Sequence, residues 1–213
     1  MSEHETETDQ GQDIDEGAAA EAGADTQAAE AAVVDPGADA AGLLKELEGM
    51  NATCVAILIT HTHWDHLGAV ADLAEASGAP VYMPRLEAPV LARPDEFYPG
   101  MAIRPYEADV LLDGGETVEV ADIAFETVGV PGHSPGHVGY YADGALFSGD
   151  VLFAGSVGRT DLPFSDWDTL VASIRSLMAQ FPPDTVVYSG HGPETTLGTE
   201  LARNPFLAEL RAS

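Results

Sequence analysis

Basic residues are scarce in this 213-residue chain, which has 8 of them against 36 acids and a single lysine, Lys45. The formal net charge of −28 excludes the clustered cations by which proteins hold nucleic acid or anionic membranes. The acids are not confined to one tail: residues 1–32 carry 10 and no base, leaving 26 acids against 8 bases for the remainder. Such a surface suits a salt-rich cytoplasm, where ions screen the self-repulsion. Cysteine is almost absent too. Cys54 alone rules out an intrachain disulfide and fits a reducing compartment. Its setting, "TCVAILIT", predicts a buried thiol rather than a ligand or nucleophile. No apolar run is long enough to span a bilayer, and the first residues lack the basic and apolar regions of a leader peptide. A cytoplasmic protein is expected.

What is present divides the chain in two. Residues 1–30 are Glu, Asp, Ala, Gly, Thr and Gln with Ile14 as the one branched apolar side chain, and are read as a disordered acidic tail. An Ala/Glu helix over 18–32 is weakened by Gly23 and Asp25. Residues 31–213 form one domain of short strands interleaved with amphipathic helices. Strands are predicted at 31–34, 54–60 and 80–83, with hairpins joining 117–121 to 123–130 across "AD" and 137–142 to 145–148 across "DG". Helices are predicted at 39–49 behind Asp39 as N-cap, at 66–77, from the "SDWD" capping box to 180, and near 198–211.

The segment "THTHWDHLGA", directly after the second strand, crowds three histidines and an aspartate into six positions. In an extended backbone His61 and His63 share a face and can grip one ion. Asp65 and His66, where the helix begins, can point at a second. Three more donors each follow a strand and a glycine: His133 in "IAFETVGVPGH", Asp150 in "ALFSGD" and His191 in "TVVYSGH". Glycine lets the chain turn sharply and expose the next side chain. Four such junctions predict one edge of a sheet assembly where the donors converge on metal. His137 is read as a surface or satisfied core residue, and His4 as a solvated one.

HxHxDH, Gly-His, Ser-Gly-Asp and Gly-His-Gly, in that order over residues 31–211, resemble the metallo-β-lactamase superfamily. The resemblance implies an α/β fold of the αββα sandwich type with two metals at its edge. It implies His61, His63 and His133 on the first ion, Asp65, His66 and His191 on the second, and Asp150 as the bridge. Zinc is expected, and iron or manganese suits the same donors. Two divalent ions, two carboxylates and a hydroxide leave a small net positive charge inside an acidic protein, suited to stabilising an oxyanion. The family normally begins with a β-hairpin before its "VDPG" turn, where this chain has its acidic tail, so either the first sheet lacks edge strands, which would leave an open edge, or the chain begins from an unusual start.

Within the superfamily, "GRTDLP" at 158–163 and "SGHGPETTLGTELARNPFL" at 189–207 resemble the short glyoxalase II-like hydrolases. The resemblance implies hydrolysis of a small-molecule S-acyl thiol, with S-2-hydroxyacyl glutathione as the typical substrate. Water on the ions ionises near neutral pH, and Asp65 would hold the hydroxide as the catalytic aspartate. The chain stops soon after "NPFL", without the helical extension that contacts glutathione in full-length glyoxalase II, so the thiol carrier is open. The rival reading is a persulfide dioxygenase, with one iron on His61, His133 and Asp150. A lactonase, β-lactamase or phosphodiesterase, or a non-catalytic metal-binding domain, shares the motif. Around the site, Arg159 and Asp161 are read as bracing a loop, Trp64 as packing, Tyr98 and Tyr106 as a pocket rim, and Asp35 as a turn former. Of Tyr140 and Tyr141, one faces each side of its strand.

Overall fold

This computed structural model describes residues 27–211. The chain runs through β1 (Ala29–Val34), α1 (Ala40–Gly49), β2 (Ala52–Leu58), α2 (Trp64–Leu67), α3 (Val70–Ser77) and β3 (Val81–Pro84). Next come α4 (Ala88–Ala92), α5 (Pro94–Phe97), β4 (Val110–Leu112), β5 (Thr117–Val120), β6 (Ile123–Gly129), β7 (Val138–Ala142) and β8 (Ala145–Gly149). The last part holds β9 (Leu152–Phe153), β10 (Ser156–Val157), α6 (Trp167–Gln180), β11 (Val186–Ser189), β12 (Thr195–Thr196), α7 (Leu197–Arg203) and a 3-10 segment, Pro205–Arg211.

β2 shows why its sequence is continuously apolar. Ala56 and Leu58 enter a core between two sheets, whereas Ile57 and Ile59 enter a core beneath helices. A strand covered on both faces has no side to leave polar. The first sheet is parallel, in the order β1-β2-β3-β4, and α1 and α3 pack on its outer face. The second is mixed, in the order β12-β11-β8-β7-β6-β5, and α6 and α7 cover it through Leu170, Ile174, Leu177 and Leu197. Leu58 and Leu112 of one sheet meet Phe125 and Tyr140 of the other. Each such fully buried side chain contributes about 1.5–3 kcal/mol. These are the four layers of an αββα sandwich.

Both hairpins turn where expected. Asp143 and Gly144 have φ of 48° and 82°, and Ala121 and Asp122 have 53° and 57°. Positive φ at both central residues is the type I′ geometry that matches strand twist. Asp39 caps α1 by accepting from the Gly42 N–H at 2.9 Å. β1 begins at Ala29, inside the segment read as tail, which also removes the end of the 18–32 helix. The rest of that tail, with His4, lies outside the described residues. Among the described residues β1 is an edge strand. Beside it an open groove of about 510 Å³ between the sheets is lined by Ala32, Val34, Phe125 and Phe147.

Four boundaries differ from expectation. The helix read at 66–77 begins at Trp64 and is interrupted after Leu67. Gly37 O takes the Ala69 N–H at 2.6 Å, and the turn at Gly37 presses against Gly68, so the ladder breaks there. α6 is capped by Asp166, which accepts from the Thr169 N–H at 2.8 Å, and not by Ser165, whose hydroxyl bonds to Leu162. The last helix breaks at Asn204 because Pro205 follows it and pushes it into extended backbone. The short helices α4 and α5 fall where the sequence predicts no element.

Candidate metal centre

β7 is antiparallel to both β6 and β8, and β8 is parallel to β11, so β6, β8 and β11 all run one way. Their carboxyl ends therefore share one edge. His133, Asp150 and His191 follow these three ends, and the His61–His66 loop follows the end of β2. Glycine is required at these junctions for two reasons. Gly149 has φ +50°, and a Cβ on Gly190 would lie 2.3 Å from Asp150 Oδ1.

The donors assemble into the two expected groups. The ligating atoms of His61, His63 and His133 lie within 4.8 Å of one another, and so do those of Asp65, His66 and His191. Asp150 lies between them, with Oδ2 3.6 Å from Nε2 of both His133 and His191 and Oδ1 3.4 Å from His66 Nε2. Asp65 Oδ2 is 2.9 Å from His191 Nε2. His66 Nε2, His133 Nε2 and Asp150 Oδ1 are buried without a hydrogen-bond partner. Unpaired buried polar atoms cost about 1–3 kcal/mol each. Their convergence, with imidazole and carboxylate donors, fits divalent cations such as zinc, iron or manganese.

Electrostatics agrees with that fit. Burial, reinforced by neighbouring histidines, lowers the pKa of His61 far below its ordinary value and that of His63 to about 4, so both present the neutral, ligating ring. Burial also opposes charge on His66, but Asp150 and Asp35 outweigh it and raise its pKa to about 10. Without a metal, a proton supplies the positive charge that these carboxylates draw to this point.

Three ligand rings are held through their Nδ1 atoms, which leaves Nε2 facing the centre. His66 Nδ1 donates to Asp35 Oδ2 at 2.9 Å, and His133 Nδ1 donates to the Arg159 carbonyl at 2.9 Å. His61 Nδ1 contacts Thr60 Oγ1 at 3.0 Å, and that hydroxyl donates to Asp35 Oδ2 at 2.6 Å. Asp35 thus does more than form a turn: it braces two ligand rings. Its position in "VDPG" gives no sign of this, because the contact spans 31 residues. Glu87, which sequence reasoning missed, is 2% exposed and accepts from Thr62 N and Oγ1 at 2.7 Å each, from Gly136 N at 2.9 Å, and from Ser134 Oγ. It joins the loop carrying His61 and His63 to the loop carrying His133.

His137 belongs to neither donor group. It is buried against the His61 ring at 4.5 Å, as a core residue. Arg159 and Asp161 form a bidentate pair at 2.7 and 2.8 Å that braces their loop. Trp64 departs from its expected packing role: it is 50% exposed and lines the cavity at the centre, because its place in α2 turns it away from the core. Tyr98 lines the same cavity and donates to the Thr62 carbonyl at 2.9 Å, whereas Tyr106 packs against the first core.

A model described as the metallo-beta-lactamase superfamily matches residues 26–191. The chain belongs to that superfamily. Among curated members, the probable metallo-hydrolase YqgX of Bacillus subtilis is 39% identical, over 82% of this chain and 86% of its own. The hydroxyacylglutathione hydrolase GloC of Haemophilus influenzae is 36% identical, over 83% and 87%. Of solved superfamily structures, the B3 metallo-beta-lactamase BLEG-1 superposes with TM-score 0.78 at 41% identity, over 84% of this chain and 89% of its own. TTHA1623 in a di-iron-bound form gives TM-score 0.74 at 43% identity, over 82% and 88%. Superfamily membership and the donor clusters make the protein a metal-dependent hydrolase. No helix among the described residues is long and apolar enough to cross a membrane.

Proposed function

We propose that the protein hydrolyses S-acyl thiols at a two-metal centre, taking a small-molecule thioester such as an S-2-hydroxyacyl thiol to a hydroxy acid and a free thiol. The observation that carries this reading is Asp150 standing between two separate three-donor groups. His61, His63 and His133 would hold one ion, Asp65, His66 and His191 the other, with Asp150 shared. When bound, the pair supplies Lewis acidity and lowers the pKa of water into the neutral range. GloC supports the thioester, and the di-iron form of TTHA1623 keeps iron beside zinc.

Asp65 reaches the cavity as well as His191, and its carboxylate would hold the attacking hydroxide. The C–S bond breaks as the C–O bond forms, and sulfur leaves with the electron pair. A thiol is acidic enough to leave as thiolate, so no strong general acid is required. The rival with one iron on His61, His133 and Asp150 would leave Asp65, His66 and His191 without a task, and their grouping speaks for the two-metal reading.

The test is metal analysis of protein purified in high salt, paired with turnover of an S-lactoyl thiol. Two ions per chain with thioester cleavage are expected. Metal-replete protein that leaves the thioester intact, or that takes up oxygen with a persulfide, would overturn the assignment.

A further inference from the structure

The cavity over the metal centre measures about 970 Å³ and opens between the Thr62–Asp65 loop, residues 86–98 and residues 153–164. Its rim exposes large apolar side chains. Trp64 is 50% exposed, Phe97 45%, Leu86 71% and Phe164 85%.

Phe164 is the most telling. Residues 162–165 make a tight turn closed by the Ser165 N–H on the Leu162 carbonyl at 3.2 Å, with Pro163 before Phe164. Phe164 occupies the place normally held by glycine, at φ +66°. A bulky side chain there is strained, and the ring buries little in return. Such an expense fits a ring displayed for contact with a ligand.

The charge around the cavity points the same way. Arg159 is the one cation among its lining residues, and both arms of its guanidinium lie on Asp161. Glu87 and Glu96 line the cavity too. A carrier bearing free carboxylates or phosphates would meet acids and one committed arginine, whereas an uncharged arm would meet Trp64, Phe97 and Phe164.

We propose that the cavity selects thioesters whose thiol arm is uncharged and apolar, and discriminates against thiol carriers that bear free carboxylates or phosphates. This rests on the thioester reading for its chemistry, but arm selection can be read by binding alone.

The experiment compares two non-hydrolysable thioethers, S-benzyl-N-acetylcysteamine and S-benzylglutathione, by calorimetry on the metal-loaded protein at low and at molar KCl. The uncharged arm is expected to bind at least tenfold tighter at low salt, with a narrower ratio at high salt as repulsion is screened. The variant Phe164→Gly, which suits the turn's backbone, should keep its metal content and show a thermal midpoint no lower than the parent's, while weakening the uncharged ligand about tenfold. Equal or tighter binding of the glutathione ligand, binding of neither, or no effect of Phe164→Gly overturns the proposal. Selective binding with no thioester cleavage would overturn the thioester reading alone.

Discussion

The Glu87 carboxylate accepts both the backbone N–H and the hydroxyl of Thr62, each at 2.7 Å, and so fixes the residue between His61 and His63. Its other oxygen takes Ser134 Oγ and Gly136 N, beside His133. One acceptor thus sets the spacing of all three histidines in the first donor group. Every partner is a donor, so Glu87→Gln replaces an acceptor by an amide that must face donors. An unsatisfied buried group costs about 1–3 kcal/mol. Glu87→Gln is expected to weaken metal retention by the His61, His63 and His133 group about tenfold or more, read by chelator competition. Unchanged retention would contradict the clamp.

Asp35 acts on both donor groups, directly on His66 and through Thr60 on His61. Asp35→Asn keeps the shape but offers His66 Nδ1 a weaker, neutral acceptor. Loss of such a partner lowers metal affinity by about 10–100-fold. Metal titration should show the weaker of two sites emptied first, while a variant in which both sites bind as before would refute the bracing role.

Gly190→Ala tests how closely the site is packed. The added methyl would sit 2.3 Å from Asp150 Oδ1 and 2.6 Å from His66 Cε1. The protein should fold, by circular dichroism, yet bind fewer than two ions and lose activity at least a hundredfold. Full metal content in that variant would show that the strand end yields.

Tyr140 is fully buried and donates to the Ile59 carbonyl at 2.8 Å, two residues before His61. Tyr140→Phe leaves that carbonyl unpaired between the sheets. A loss of about 1–3 kcal/mol in urea unfolding is expected, and no loss would mean that water replaces the hydroxyl.

A net charge of −28 makes self-repulsion the main electrostatic opponent of compactness. Ions screen it over about 10 Å at 0.1 M and about 3 Å at 1 M. The thermal midpoint should therefore rise as KCl is raised from 0.1 to about 2 M; a flat or falling curve would remove the case for a salt-rich setting.

The seven proposed ligands were legible because two local rules expose them. HxHxDH places donors within one loop, and a glycine before His133, Asp150 and His191 marks where each strand delivers a side chain to the edge. Strand identities were legible as well, since doubly covered strands are continuously apolar and type I′ turns need residues that tolerate positive φ. Helix interruptions were not. The break after Leu67 comes from a carbonyl at Gly37, about 30 residues earlier, and nothing in "HLGAVADLAEAS" reports it.

The sequence by itself determined which side chains can bind metal, because ligand chemistry belongs to residue type and local spacing. Only the tertiary structure decided how those side chains are held and what they face. Thr62 meets Glu87 across 25 residues, His66 meets Asp35 across 31, and Ser134 meets Glu87 across 47. Phe164 and Trp64 become a rim only when separate loops close around the centre. Hydrogen bonds and exposure depend on distance in space, which a linear order of residues does not contain until the sheets have stacked.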